Sequence, residues 1–462
     1  MQSPIESEAA SALEAEALRA EAFVGEPFVR SDEDLEVVLA PGTARRRALD
    51  DALVELEAGR EEPSAEWKVR YALMLGLERV LSEHPPRLAS GTELRRHQVD
   101  ALAGMLTELI AAVQKGENGN GHAVVEELTD EDEELEDEFG LPADADADAD
   151  AEVEDDVDEP LPVSEDPGSV RRYRFRHPTA SGKTIAASGF VEAARTEGVL
   201  ILTHRRLLVD QFRRELTEHG YSERFTDAIL TGHTAPRSKA PITIQTYAWF
   251  ARHVDEIDRD AYQLVICDEA HTALGEKTSA AIRSLFQPIY IGMTATEELI
   301  AKQVSDVFPA SVDDLPLADA ARRGLIAPLR CLRVPPVAAI NQVPIVGGDF
   351  EERALAQALD HEALNMAAAT LYRERFGDTP GVVYAAGVDH AYNLATAFRA
   401  AGIKAEAVSG RTPPVKLAEI LAAYERGEID VLINAMLLAE GWNSPRATVI
   451  MHLAPTASKR VY

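Results

Sequence analysis

The stretch His177-Pro178-Thr179-Ala180-Ser181-Gly182-Lys183-Thr184 limits what this 462-residue chain can fold into more than any other part of it. A short alternation, Tyr173 and Phe175, runs before it with the period of a strand. After it, Ile185, Ala186, Ala187, Phe190, Val191 and Ala194 follow a helical pattern. A strand that becomes a helix through Gly-Lys-Thr is a phosphate loop. Its backbone N–H groups and the helix N-terminus face an anion, Lys183 reaches the outer phosphates, and the Thr184 hydroxyl can hold Mg²⁺. Thr179, Ser181 and Gly182 complete the cradle. His177 stands where the full pattern has glycine, and Ala180 where a second glycine is common. The alanine is tolerable there only if its φ stays negative.

Such a unit implies a parallel α/β sheet, and the chain after Arg171 keeps the rhythm. Short β-rich runs occur at Val199 to Leu202, Ile242 to Ile244, Leu264 to Cys267 and Ile289 to Ile291, with helical patterns between several of them. The pattern resumes after a connector. A helix from about Glu351 to Phe376 precedes strands at Gly381 to Tyr384, Ala405 to Val408, Val431 to Ile433 and Thr448 to Leu453, with helices at His390 to Ala401 and Val415 to Arg426. Two tandem α/β domains follow one another. The expected boundaries are 169–310 for the first, 311–330 for the connector and 331–462 for the second.

The acidic pair completes the chemistry. Leu264 to Cys267 would deliver Asp268-Glu269-Ala270-His271 to the C-terminal edge of the sheet, where open α/β folds bind ligands. Asp268 would share the Mg²⁺ of Thr184, and Glu269 would orient a water for in-line attack on a γ-phosphate. Upstream, Leu94-Arg95-Arg96-His97-Gln98 opens a helix with one apolar stripe, Val99, Leu102, Leu106, Leu109, Ile110 and Val113. Gln98, at the outer start of that helix and ahead of a phosphate loop, has the amide to read the donor and acceptor edge of adenine in two hydrogen bonds. The helix at 93–116 therefore joins the first domain. Residues 1–92 read as a helical accessory region, with helices at Ser11 to Phe23, Arg45 to Leu56 and Trp67 to Leu81.

A net charge of −33 would ordinarily argue against a nucleic-acid partner. About two-thirds of that excess lies between Glu126 and Asp166, a stretch with no Lys or Arg, so the total says little about the remaining surface. The composition of 117–168 predicts a disordered acidic insert. It ends beside Arg171, Arg172, Arg174 and Arg176, where it could compete with DNA phosphates for a basic surface or dock another protein. The two cysteines, Cys267 and Cys331, sit in apolar runs and are expected to be buried thiols in a reducing compartment. No run approaches the ~18 apolar residues of a membrane helix. A cytoplasmic protein with no membrane partner is the expectation.

Read in order, the motifs carry a family resemblance. They are Gln98, then Pro178 to Thr184, Thr203-His204-Arg205-Arg206, Gln245-Thr246, Asp268 to His271 and Met293-Thr294-Ala295-Thr296, followed by Ser409-Gly410-Arg411-Thr412 and Glu440-Gly441-Trp442-Asn443-Ser444-Pro445. The set resembles the superfamily 2 DEAH-type helicases and translocases, in particular the motor subunits of type I and III restriction enzymes. The resemblance implies two RecA-like domains with ATP between them and a nucleic-acid strand across both, DNA rather than RNA. It gives strand contacts to Thr203, Arg205, Arg206, Gln245, Thr246, Ser409 and Gly410, coupling roles to His271, Thr294 and Thr296, and nucleotide contacts to Gly441 and Asn443. The implied function is ATP-dependent movement along DNA. An RNA helicase, or a nucleotide-gated binding module with little turnover, are the alternatives. The chain departs from the family pattern at Ala439 and Asn443, and it stops at Tyr462, ahead of the motif that would bring second-domain arginines to ATP. It is therefore expected to be incomplete at that end, with Arg446 the remaining arginine that could take the role.

Overall fold

The computed structural model describes residues 4–115, 166–232, 238–295, 304–327, 330–332, 343–346, 349–435, 437–438, 442 and 444–455. The acidic insert lies outside the described residues except for 166–168, as do Thr296, Gly441 and Asn443. The chain divides into two compact units, the first ending at residue 329 and the second taking up the chain from residue 330.

The first unit carries a six-stranded sheet in the order β3-β2-β4-β5-β1-β6, every pair parallel. The strands are β1 (Arg172–Arg176), β2 (Val199–Thr203), β3 (Ile242–Thr246), β4 (Leu264–Asp268), β5 (Ile289–Thr294) and β6 (Ala310–Asp314). β2, β4 and β5 are buried along their whole length, which is why they read as continuous apolar runs rather than alternations. Alternate residues feed two cores. Ile201, Ile244, Ile266 and Ile291 face one that includes the helices Arg96–Lys115 and Lys183–Ala193. Leu200, Leu202, Val265 and Tyr290 face one shared with the helices Tyr247–His253 and Glu276–Ser284.

The N-terminal helices, expected as a separate accessory region, belong to the first of these cores. Phe28, Leu49, Trp67, Tyr71 and Leu77 are continuous with Phe190 and the sheet. The helices Pro4–Val24 and Ala44–Glu57 match expectation, while the third runs Ala65–Ser82 with a π turn at Lys68–Ala72. Its Gly76 packs so closely on the Lys183–Ala193 helix that a Cβ there would lie 1.9 Å from the Ala193 carbonyl oxygen.

β6 falls inside the stretch expected to be connector. It adds to the sheet beside β1, and the helix Leu317–Arg322 follows. The sequence Ala-Ser-Val-Asp-Asp lacks the apolar signature because an edge strand needs little of one.

The arginines expected as a free basic surface are occupied. Arg171 donates to the Gln287 carbonyl at 2.9 Å, and Arg174 to the carbonyls of Phe308 and Pro309. Arg176 bonds both oxygens of Asp314 at 2.7 Å. Arg172 is buried and paired with Asp166, the last acid of the insert. These four side chains are therefore spent within the fold, and the rest of the acidic tract lies outside the described residues.

The second unit is a four-stranded parallel sheet, β10-β11-β9-β12, with a separate hairpin of β7 (Ile345–Val346) and β8 (Asp349–Phe350). Its strands are β9 (Gly381–Tyr384), β10 (Ala405–Val408), β11 (Val431–Asn434) and β12 (Val449–His452). The helices Glu362–Phe376 and Val388–Ala400 share the core on one face, and Ile420 and Tyr424 of the helix Pro414–Glu425 pack on the other. The single helix expected over 351–376 is two, Glu352–Leu359 and Glu362–Phe376. Asp360 leaves helical geometry at ψ 72° and accepts from Asn365 (2.9 Å) and Asn393 (2.7 Å). Cys267 is buried as expected, whereas Cys331 is exposed.

Candidate active site

In a parallel sheet all strands end on the same edge, and here that edge gathers the motifs of the first unit. Thr203 ends β2 opposite Thr246 of β3, Asp268 ends β4 opposite Met293 of β5, and Arg176 of β1 lies opposite Thr294. The loop 177–182 leaves β1 at this edge and enters the helix through Gly182 at φ +94°, a left-handed conformation that suits glycine. Ala180 is also left-handed, at φ 65°. The expectation that it avoids positive φ is overturned. A non-glycine residue in that region carries about 1–3 kcal/mol of strain, which its surroundings must sustain.

Lys183 begins the helix, nearly buried, with its Nζ 3.2 Å from Glu269 Oε1. Glu269 itself has φ 46°, a second strained non-glycine residue, and its carbonyl accepts from Thr272 N–H and hydroxyl, both at 2.8 Å. The Asp268 side chain is buried beside it. Burial first, then the neighbouring Glu269, push the Asp268 carboxyl up to about 7, with Lys183 opposing. The buried Tyr247 hydroxyl donates to the Asp268 carbonyl at 2.8 Å and fixes the strand end.

His271 Nδ1 lies 3.3 Å from Thr294 Oγ1 and 3.6 Å from Glu269 Oε2. The Thr294 carbonyl accepts from the His177 N–H at 3.0 Å, so Thr294 touches both the acidic motif and the phosphate loop. Gln98, expected at the outer start of its helix, is fully buried. Its Oε1 accepts from Arg95 N–H at 2.8 Å and its Nε2 donates to the Gly182 carbonyl at 3.1 Å, so in this structure the amide holds the loop. The loop's remaining partners, His97 and Asp313, carry no motif, and the sequence alone does not single them out. His97 stands in the same Arg-His-Gln run as Gln98. Asp313 lies on the unanticipated β6.

The residues expected to contact a strand differ in setting. The buried Thr203 hydroxyl donates to the Arg205 carbonyl at 3.1 Å and shapes the turn. Arg206 is exposed at the first position of its helix, and Arg205 is half-buried as its N-cap. Thr246 Oγ1 caps the next helix by accepting from Trp249 N–H at 3.2 Å, and Gln245 is half-buried. In the second unit Ser409 is buried, its N–H donating to Thr412 Oγ1 at 3.0 Å, and Gly410 is exposed. Arg446 is engaged within its own unit. It donates to the carbonyls of Tyr424 (2.8 Å) and Ile429 (2.7 Å), pairs with Asp430 and lies over the Tyr424 ring. It is a fastener of that unit, not a spare arginine.

Among the described residues no group of three or more His, Cys, Asp or Glu is arranged to hold a metal, and no helix is long and apolar enough to cross a membrane. Thr184 and Asp268, the pair expected to hold a cation, bring one hydroxyl and one carboxylate, an oxygen-only set. That suits Mg²⁺, which keeps waters and takes one or two carboxylates together with substrate phosphates.

Residues 92–299, which span the loop, the acidic motif and the sheet edge between them, match the family described as the type III restriction enzyme res subunit. That match, with relatives named as helicases, indicates a superfamily 2 helicase related to the res subunit. Its relatives include a 51.5 kDa protein of a Lactococcus phage, 23% identical over 287 residues, covering 62% of this chain and 59% of that one. A Halobacterium salinarum protein named as a DNA 3'-5' helicase, Rad25, is 27% identical over 287 residues, covering 58% and 44%. The chain thus spans about half the length of the curated relatives it matches. Among solved structures, Saccharomyces cerevisiae Dbp5 bound to RNA and ADP BeF3 aligns with a TM-score of 0.42 and 15% identity, over 61% of this chain and 70% of that one.

Proposed function

We propose that this superfamily 2 member hydrolyses ATP with Mg²⁺ and couples the hydrolysis to movement along nucleic acid, DNA in the first instance. The observation that carries the reading is the contact of Lys183 Nζ with Glu269 Oε1 at 3.2 Å, beside the buried Asp268. It puts a phosphate-seeking cation and a candidate base on one strand edge, with the N-terminus of a helix opening between them. Lys183 binds the outer phosphates, with Thr179, Ser181 and Gly182 lining the loop. Thr184 and Asp268 are the Mg²⁺ ligands, and the oxygen-only pair together with the raised Asp268 carboxyl fits a cation there. The ion, when bound, would screen charge developing on the transferring phosphoryl group. Glu269, released from Lys183 as phosphate takes its place, orients the attacking water and accepts its proton. His271 and Thr294, in contact with each other and with both motifs, relay nucleotide state; Thr296, Gly441 and Asn443 are carried over from the family pattern.

Strand contacts fall to Arg205, Arg206, Gln245, Gly410, and the turns that Thr203, Thr246 and Ser409 hold, with arginines and backbone groups tracking phosphates. The name of the Halobacterium relative supports the choice of DNA. Steady-state ATP hydrolysis measured alone and with single-stranded DNA, duplex DNA and RNA tests it. DNA-stimulated turnover is expected; stimulation by RNA alone would make it an RNA motor, and binding without turnover a clamp.

A further inference from the structure

The phosphate loop is fastened from behind, and the fastening decides which way its peptide groups face. In a planar trans peptide the carbonyl of one residue and the N–H of the next point in opposite directions. His97 Nε2 donates to the Ser181 carbonyl at 2.8 Å, which turns the Gly182 N–H away from the helix that carries His97. Gln98 adds to the Ile185 and Ala186 N–H groups in holding the Gly182 carbonyl, with the Lys183 N–H opposed to it. Left unheld, the Ser181 carbonyl could rotate toward the anion and repel it.

A second fastening lies at the start of the loop. His177 is fully buried, with its ring edge-on to Phe175 (4.8 Å) and 5.3 Å from the ring of His97. Its Nε2 is 2.6 Å from Asp313 Oδ2 on β6, and its N–H is bound to Thr294. A carbonyl and a carboxylate only accept, so both imidazoles carry a proton on Nε2. Both Nδ1 atoms are buried without a partner, leaving each ring one hydrogen bond, spent on the loop or on its anchor. Between these fixed points Thr179 and Ala180 are exposed, and Ala180 is held at positive φ.

We propose that His97, His177 and Asp313 are positioning residues of the nucleotide site. They hold the loop so that its N–H groups converge on a nucleoside polyphosphate, and they sustain the strain at Ala180. This rests on reading the loop as an ATP site. The test is calorimetric titration of the full chain with Mg·ATP, with melting temperature and nucleotide-free DNA binding followed in parallel. His97→Ala weakens Mg·ATP binding about tenfold, or about 1.4 kcal/mol, the size of one buried hydrogen bond. His97→Gln keeps an N–H donor and recovers most of the affinity. Asp313→Ala weakens binding similarly, while Asp313→Asn still accepts from His177 and stays near wild type. DNA binding is unchanged throughout. Wild-type affinity in His97→Ala, alongside loss in Lys183→Ala, overturns the proposal and leaves the ATP site standing, and so does a His97→Gln as weak as His97→Ala. If His97→Ala fails to fold, the Asp313 pair decides, and equal affinities overturn the proposal. A wild-type chain that does not bind Mg·ATP overturns the ATP site and the proposal together.

Discussion

Gly76→Ala opposes two effects of known size. In an open helix the change is favourable by about 1 kcal/mol, because glycine loses more chain entropy. At this site the new Cβ would sit 1.9 Å from the Ala193 carbonyl oxygen and 2.7 Å from its carbonyl carbon. Both belong to the backbone of the helix that begins at Lys183, so no side chain can rotate aside. To restore a contact of about 3.5 Å the two helices must part by roughly 1.5 Å, which loosens packing around Leu73, Leu77 and Phe190. Overpacking of this kind costs about 1–3 kcal/mol and occasionally more, and against a backbone the upper end applies. The net expectation is a loss of about 2 kcal/mol, or roughly 3 °C in melting temperature for a unit of this size. Thermal unfolding followed by circular dichroism measures it, with Gly275→Ala as control, since nothing lies within 4 Å of a Cβ there and its φ is −58°. A Gly76→Ala protein that melts at or above wild type would refute the close packing of the N-terminal helices on the nucleotide unit.

Glu197 is fully buried, and burial, then Glu26, push its carboxyl up to about 8. Its folded pKa exceeds the unfolded one, so the folded state holds the proton more tightly and stability falls as pH rises from about 4.5 to about 8. Glu197→Gln should flatten that decline and gain on the order of 3 kcal/mol over wild type at pH 9 but little at pH 4, read by urea unfolding; parallel pH curves would contradict it. Arg446→Ala should destabilise the second unit by about 2–4 kcal/mol, because the carbonyls of Tyr424 and Ile429 and the Asp430 carboxylate lose their donor. A melting temperature within about 1–2 °C of wild type would make Arg446 available to a nucleotide again.

The strands that reach the site were legible because buried parallel strands have only one way to appear in sequence. Val199 to Leu202 and Leu264 to Cys267 are apolar at every position. β6 was hidden for the converse reason: its role is to pair with β1 and present Asp313, which demands no apolar run. Local chemistry also misled where its partner is distant in sequence. Four arginines in six residues look like a basic face, and only the fold reveals that Asp166, Gln287, Phe308, Pro309 and Asp314 meet them. Gln98 likewise reads as a surface amide until the loop 84 residues later closes on it. The strain at Ala180 could not be read at all, since alanine signals negative φ and the constraint comes from residues that lie outside the motif.

The central claim is that Lys183 and Glu269, in contact here, act on different steps: the lysine on holding phosphate, the carboxylate on the water that attacks it. Mg·ATP affinity and DNA-stimulated turnover measured side by side for Lys183→Ala and Glu269→Gln test it most directly. The account predicts that Glu269→Gln keeps its affinity within about threefold while turnover drops by about 10² or more, the usual contribution of a general base. Lys183→Ala loses both. Equal loss of ATP affinity in the two variants would contradict the assignment.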